Sequence, residues 1–126
     1  MKKILSAIIL SMICSVCVMA QTVEVKYFHG KQRCVTCRSI EKYAQEVIKE
    51  SFAQEVKDGK VKFTVTDFST DEGKAVAKDY KVTYSSLFVV KGKERVNLTQ
   101  MGFKYAKNQT EEFKKQLKKE VENLLR

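Results

Sequence analysis

Thr22-Val23-Glu24-Val25-Lys26-Tyr27-Phe28-His29-Gly30-Lys31-Gln32-Arg33-Cys34-Val35-Thr36-Cys37 carries a strand, a loop and the start of a helix in one continuous stretch. Val23 to Phe28 alternates apolar and polar side chains, the period of a strand. His29 to Arg33 is polar and contains a glycine, as a loop should. From Cys37 onward, Ile40, Ala44, Val47, Ile48 and Phe52 recur at helical spacing and predict one long helix to about Val56. Cys34 and Cys37 therefore stand one turn apart at a helix N-terminus. There the unpaired backbone N–H groups and the positive end of the helix dipole favour a thiolate over a thiol. A thiolate attacks disulfides and binds soft metals.

The same periodicities extend to the C-terminus. Asp58-Gly59 signals a turn, and Val61 to Asp67 alternates strictly, predicting a strand with one wet face. Asp71 begins a short helix through Ala75, Val76 and Tyr80. Leu87 to Val90 is a continuous apolar run, expected of a strand buried on both faces. Lys91-Gly92-Lys93 is a turn, Arg95 to Met101 a second hairpin strand, and Gly102 a break. Asn108, with Glu111 three residues on, has the spacing of a capping box for a last helix striped by Phe113, Leu117, Val121, Leu124 and Leu125. The predicted order is β-α-β-α-β-β-α. Right-handed crossovers put the first and third strands in the centre of a four-stranded mixed sheet, with the second and fourth at its edges. Helices on both faces make a three-layer α/β/α sandwich. Tyr80, Tyr84 and Phe88, at four-residue spacing, read as core. Asp67 and Asp71 read as turn and cap residues, and Asn97-Leu98-Thr99 as a chance match to a glycosylation pattern.

The N-terminus supplies an address. Met1-Lys2-Lys3 is a short positive region and Ile4 to Val18 an apolar stretch. Val18-Met19-Ala20 offers small residues at the usual positions before a cut at Gln21. A signal peptide over 1–20, one domain over 21–126 and export to the periplasm are the expectation. The apolar stretch is short for a membrane span and no second one follows, so no stable insertion is expected after cleavage; a retained anchor is the alternative. Ile13 and Val16, branched residues before Cys14 and Cys17, disfavour lipid attachment there. Loss of Lys2 and Lys3, with no acid, takes the formal charge from +9 to +7. The lysines lack interleaved aromatics, which argues against nucleic acid and for a solvated face or acidic partners. A monomer is expected. Outside the cytosol Cys34 and Cys37, the cysteines remaining, can pair.

The order of elements and the place of Cys34-Val35-Thr36-Cys37 within it resemble the thioredoxin-like superfamily, across 21–126. Gly102 before the last helix resembles a family position as well. More narrowly, Tyr27 to Ile40 and Val82 to Val90 are similar to the ArsF family, exported thioredoxin-like proteins associated with arsenic resistance and labelled nitrophenyl compound nitroreductase subunits. The resemblance implies a redox-active disulfide and no other cofactor. It also implies a protein thiol or disulfide partner, a membrane thiol-electron donor among the candidates, and delivery of electrons to an arsenic-associated or nitro-compound reductase. Three positions depart from the family. Arg33 stands where a Trp is usual, and Tyr27, Phe28 and His29 where a buried acid is. The chain has no proline, so Ser85 or Ser86 replaces the family's cis-proline. A cis bond before serine costs about 3–4 kcal/mol, so a trans peptide is expected in the substrate loop of Tyr84, Ser85 and Ser86.

At the pair itself, Cys34 is the more exposed thiol by position, with Arg33 and Arg38 nearby to tune its pKa downward. Cys34 is expected to attack and Cys37, one turn deeper, to resolve the mixed disulfide. A purely structural staple is the weaker reading, because so short a loop contributes only about 2 kcal/mol in the chain-entropy model. The third reading is soft-ion binding: Cys34 and Cys37 with His29, or with a serine oxygen from Ser85-Ser86, around Cu(I), Zn(II) or trivalent arsenic. Two cysteines and one histidine are an incomplete zinc set.

Overall fold

Burial along β1 (Val23–His29) shows why this strand sits mid-sheet. Val23, Val25 and Tyr27 are fully buried on one face, and Phe28 is fully buried on the other. The computed structural model describes residues 21–126. The signal peptide and anchor alternatives fall on 1–20 and lie outside the described residues. β2 (Val61–Asp67) pairs parallel with β1, from Val23 opposite Val61 to His29 opposite Asp67. β3 (Ser86–Lys91) pairs antiparallel on the other side, and β4 (Glu94–Asn97) closes a hairpin on β3. The sheet order is β2-β1-β3-β4, the mixed four-stranded arrangement expected from the right-handed crossover. Gly92, at φ +60°, makes the hairpin turn that an L side chain resists.

One face of the sheet is covered except at the outer end of β2, where Val65 is exposed. α1 (Val35–Ser51), α4 (Thr99–Tyr105) and α5 (Thr110–Leu125) close over it with Ile40, Ala44, Val47, Phe113, Leu117 and Val121. The opposite face is covered only in part. α3 (Asp71–Asp79) lays Ala77 and Val76 against Phe28, Phe88 and Val90, with Tyr80 tilted onto Phe28 at 5.3 Å. Beyond the reach of this short helix, the same face of the sheet is charged. Glu24 there lies 3.7 Å from Lys26 and 3.9 Å from Lys62 and accepts a hydrogen bond from Thr64. β2 is an edge strand with Lys62 and Val65 exposed.

Several boundaries differ from the periodicity reading. The long helix divides at Phe52, whose φ of −128° leaves the helical region while its ring stays buried, and α2 (Ala53–Lys57) follows. The fourth strand stops at Asn97 instead of running to Met101. The Asn97 side chain accepts the Thr99 N–H at 3.0 Å and Thr99 Oγ1 accepts the Leu87 N–H, which turns the chain into α4. Gly102 therefore does not break an element; it lies inside α4, where a Cβ would sit 3.1 Å from Ile40 Cδ1. Its absence of a side chain serves helix-to-helix contact. The last helix is entered from Gln109, without a side-chain cap, and Asn108 caps nothing; Thr110 donates back to Ala106 O instead. Thr70, not Asp71, caps α3 by accepting the Gly73 N–H at 3.0 Å, and its buried alanine is Ala77. Among the described residues no helix is long and apolar enough to cross a membrane.

Candidate functional site: a disulfide at the head of a helix

Cys34 is the N-cap of α1. Its backbone is extended at φ −76°, ψ 166°, and its Sγ accepts the N–H of Cys37 at 3.1 Å. A sulfur here takes the place that a serine or aspartate oxygen fills in an ordinary cap, satisfying one of the orphan donors of the first turn. No acidic residue lies in that turn to offset the positive helix end. Cys34 and Cys37 are joined as a disulfide with Cα atoms 5.1 Å apart. Cys34 is exposed and Cys37 is 6% exposed, the asymmetry expected of an attacking and a resolving thiol.

The loop before Cys34 is held by a clamp. Arg33 donates through Nη1 to Glu41 Oε1 at 2.6 Å, and its Nη2 lies 2.7 Å from His29 Nε2. His29 Nδ1 lies 2.9 Å from Gly30 O. One tautomer satisfies both contacts: Nδ1–H donating to the carbonyl and Nε2 accepting from the guanidinium. Arg33 thus ties the end of β1 to the second turn of α1. Its charge faces a carboxylate, while Arg38, also expected to tune the thiol, is exposed one turn below Cys34 and donates its backbone N–H to Cys34 O. Both ring nitrogens of His29 are engaged, so in this geometry it offers the sulfurs no free lone pair. Among the described residues no group of three or more His, Cys, Asp or Glu side chains is placed to hold a metal ion.

Beneath the pair lies Tyr27, fully buried, donating from Oη to Cys37 O at 2.9 Å and stacked on His29 at 5.9 Å. Burial pushes its phenol above the ordinary value, opposed chiefly by the hydroxyl of Ser85 and helped by the charge of Glu41. Tyr27 therefore supplies a neutral hydroxyl beneath the pair that anchors the first turn of α1.

The disulfide opens onto a cleft of about 580 Å³ walled by Lys31, Phe68, Thr83, Tyr84, Ser85 and Phe103. Tyr84 is exposed and packs its ring on Phe103 at 6.4 Å, so it is not core, although Tyr80 and Phe88 are. Phe68 lies over Gly30, where a Cβ would come within 2.7 Å of its ring. Ser85 is buried at the cleft wall. Ser86 lies in β3 rather than in the loop, and its hydroxyl donates to Tyr84 O at 2.8 Å. Every peptide bond among the described residues is trans, including those of this loop. Phe103, Phe68, Lys31 and Glu41 escaped the sequence reading. An acid one turn after Cys37 was a usable signal for Glu41, and Lys31 lies only three residues before Cys34; nothing local marks Phe68 and Phe103, which are distant in sequence.

Asp67, at the end of β2, accepts from both the N–H and the hydroxyl of Ser69, which hold its carboxyl below the ordinary range. It is a turn residue, as expected.

No family model matches the chain, and no curated protein does. Solved structures do. One described as a malarial protein is 18% identical, with 75% of this chain and 96% of the other covered and a TM-score of 0.48. A thioredoxin from Thermus thermophilus, solved in solution, is 15% identical, with 78% and 72% covered and a TM-score of 0.40.

Proposed function

We propose that the protein exchanges its Cys34–Cys37 dithiol and disulfide with a thiol or disulfide of another protein. The observation that carries this reading is the pairing of an exposed sulfur at a helix cap with a buried one behind it, at the mouth of a cleft. In the reducing direction the Cys34 thiolate attacks a partner disulfide, forming a mixed disulfide and expelling one partner thiolate. The Cys37 thiolate then attacks Cys34 Sγ, releasing the second partner thiolate. The partner disulfide gains two electrons as the protein dithiol becomes a disulfide. Catalysis of insulin reduction by dithiothreitol tests this directly. The wild type should accelerate it and a Cys34→Ser variant should not; equal rates for the two would end the proposal.

The signal-like segment over 1–20 supports action outside the cytosol, and the likeness of Tyr27 to Ile40 and Val82 to Val90 to the ArsF family supports electron delivery to a larger reductase. Sequencing the N-terminus of protein recovered from an outer compartment checks the first, with Gln21 the expected start. A second reading, capture of arsenite or Cu(I) by the reduced pair, is favoured by two sulfurs side by side at an open cleft. Native mass spectrometry of the reduced protein should then show a stoichiometric adduct that Cys37→Ser abolishes.

A further inference from the structure

We infer that the face around the disulfide takes a polypeptide whose half-cystine is flanked by an apolar side chain and by carboxylates. This rests on the thiol–disulfide reading above and names the partner chemistry. Five large apolar side chains are exposed among the described residues, and Val35 at 65%, Tyr84 at 58% and Phe103 at 38% are the three beside the cysteines in sequence or cleft. Tyr84 and Phe103 pack on each other inside the cleft. Val35 follows Cys34 and is no part of the cleft wall, so a partner touching all three extends well beyond one residue. Apolar rings left in water gain from a partner's apolar side chain.

The charged side chains of the cleft wall itself have one sign, with Glu41 and Asp67 set behind it. The cleft wall contains Lys31 and Arg33 and no carboxylate. Arg33 is offset by Glu41. Lys31 and Arg38 have no ion-pair partner among the described residues, and Lys104, next to Phe103, reaches only the Tyr105 ring at 5.0 Å. The other cations with carboxylate partners, Lys26, Lys62, Arg95, Lys114 and Lys118, are absent from the cleft wall. Uncompensated positive charge beside a reactive sulfur steers anionic partners toward it and raises their rate of encounter.

The test measures reduction, by the reduced full-length protein, of two peptides that differ only beside the cysteine. Each carries Leu before a cysteine capped as its methyl disulfide; Asp-Asp follows the cysteine in one and Lys-Lys in the other. The quantity read is the ratio of rate constants, acidic over basic, in wild type and in Lys31→Glu. Comparing the ratio between proteins cancels each peptide's intrinsic leaving-group reactivity. The ratio should fall by about threefold or more in Lys31→Glu, by less in Lys31→Gln, and should shrink in wild type as salt screens the face. Phe103→Ala should slow both peptides and leave the ratio in place. A ratio that neither variant nor salt moves, with exchange still running, overturns this inference and spares the exchange reading. Failure of both peptides to react removes both. A larger loss of rate in Lys31→Glu for oxidised glutathione than for the acidic peptide, each relative to wild type, assigns the face to a small acidic disulfide and overturns the polypeptide partner.

Discussion

Arg33 occupies two roles that separate experimentally. Its guanidinium bridges Glu41 at 2.6 Å and His29 at 2.7 Å, with the Arg33 and Glu41 side chains 30% and 24% exposed. Arg33→Ala removes a charge-assisted hydrogen bond and leaves a partly buried carboxylate without its cation. Such bonds contribute about 1.5–3 kcal/mol when buried. Partial exposure lowers this, and about 1–2 kcal/mol is the expected loss. For a domain of this size that corresponds to a fall of roughly 4–8 °C in Tm per kcal/mol, read by thermal unfolding of the oxidised protein. The Arg33–Glu41 pair as a whole contributes little charge at Cys34, because each group offsets the other. The pH at which Cys34 becomes reactive to iodoacetamide should barely move in an Arg33→Ala/Glu41→Gln double variant, whereas Arg33→Ala alone leaves Glu41 unopposed and should raise it. In Glu41→Gln the guanidinium charge is no longer opposed, so the thiolate gains stabilisation and the midpoint should drop. Arg33→Lys keeps the charge but loses the planar fork that reaches both partners, and should destabilise nearly as Ala does. An Arg33→Ala variant with unchanged Tm, and a double variant whose Cys34 midpoint rises, would refute this account and make Arg33 a tuning residue alone.

Three more outcomes follow from single contacts. Tyr27→Phe removes the hydroxyl donated to Cys37 O while keeping the ring, and should cost about 1 kcal/mol in chemical denaturation. Gly102→Ala sets a helix-propensity gain of about 1 kcal/mol against crowding of the stiff, buried Ile40. Crowding should win, giving a lower Tm that Ile40→Val, by removing Cδ1, partly restores; a raised Tm in Gly102→Ala alone refutes it. Asp67 has a folded pKa below the 3.8 of the free carboxyl, so the unfolded chain takes up its proton first as pH falls. Its contribution is complete above about pH 4 and is lost below, and Asp67→Asn should flatten that part of an acid-unfolding curve.

The fold was legible where burial imposes a period. Val23 to Phe28, Val61 to Asp67 and Leu87 to Val90 are strands because alternation or continuous apolarity matches how many of their faces are covered. Strand order followed from crossover handedness. Helix ends were less legible, since they are decided by single side-chain bonds. Asn97 and Thr70 redirect the backbone with one hydrogen bond each, and a Gly inside α4 reads like a terminator until Ile40 is seen against it. The sulfurs at the helix cap were legible from spacing alone. The cleft was legible only at the Tyr84–Ser85 loop: Phe68 and Phe103 come from separate elements, and the four-residue spacing of Tyr80, Tyr84 and Phe88 also spoke for core. His29 enters the alternative soft-ion set because the bond from Arg33 is invisible in one dimension.

The uncovered border of the sheet at β2 has a bearing on how the chain behaves at high concentration. A strand with free amide and carbonyl groups along one side is a template on which a second molecule can polymerise. Here Lys62 stands three positions before the exposed Val65 on that margin, and Lys60 precedes the strand. Accretion of another chain would bring like ammonium groups together and strip them of water. The opposite margin, β4, spans only Glu94–Asn97 and carries Glu94 and Arg95, too short and too charged to seed a fibril.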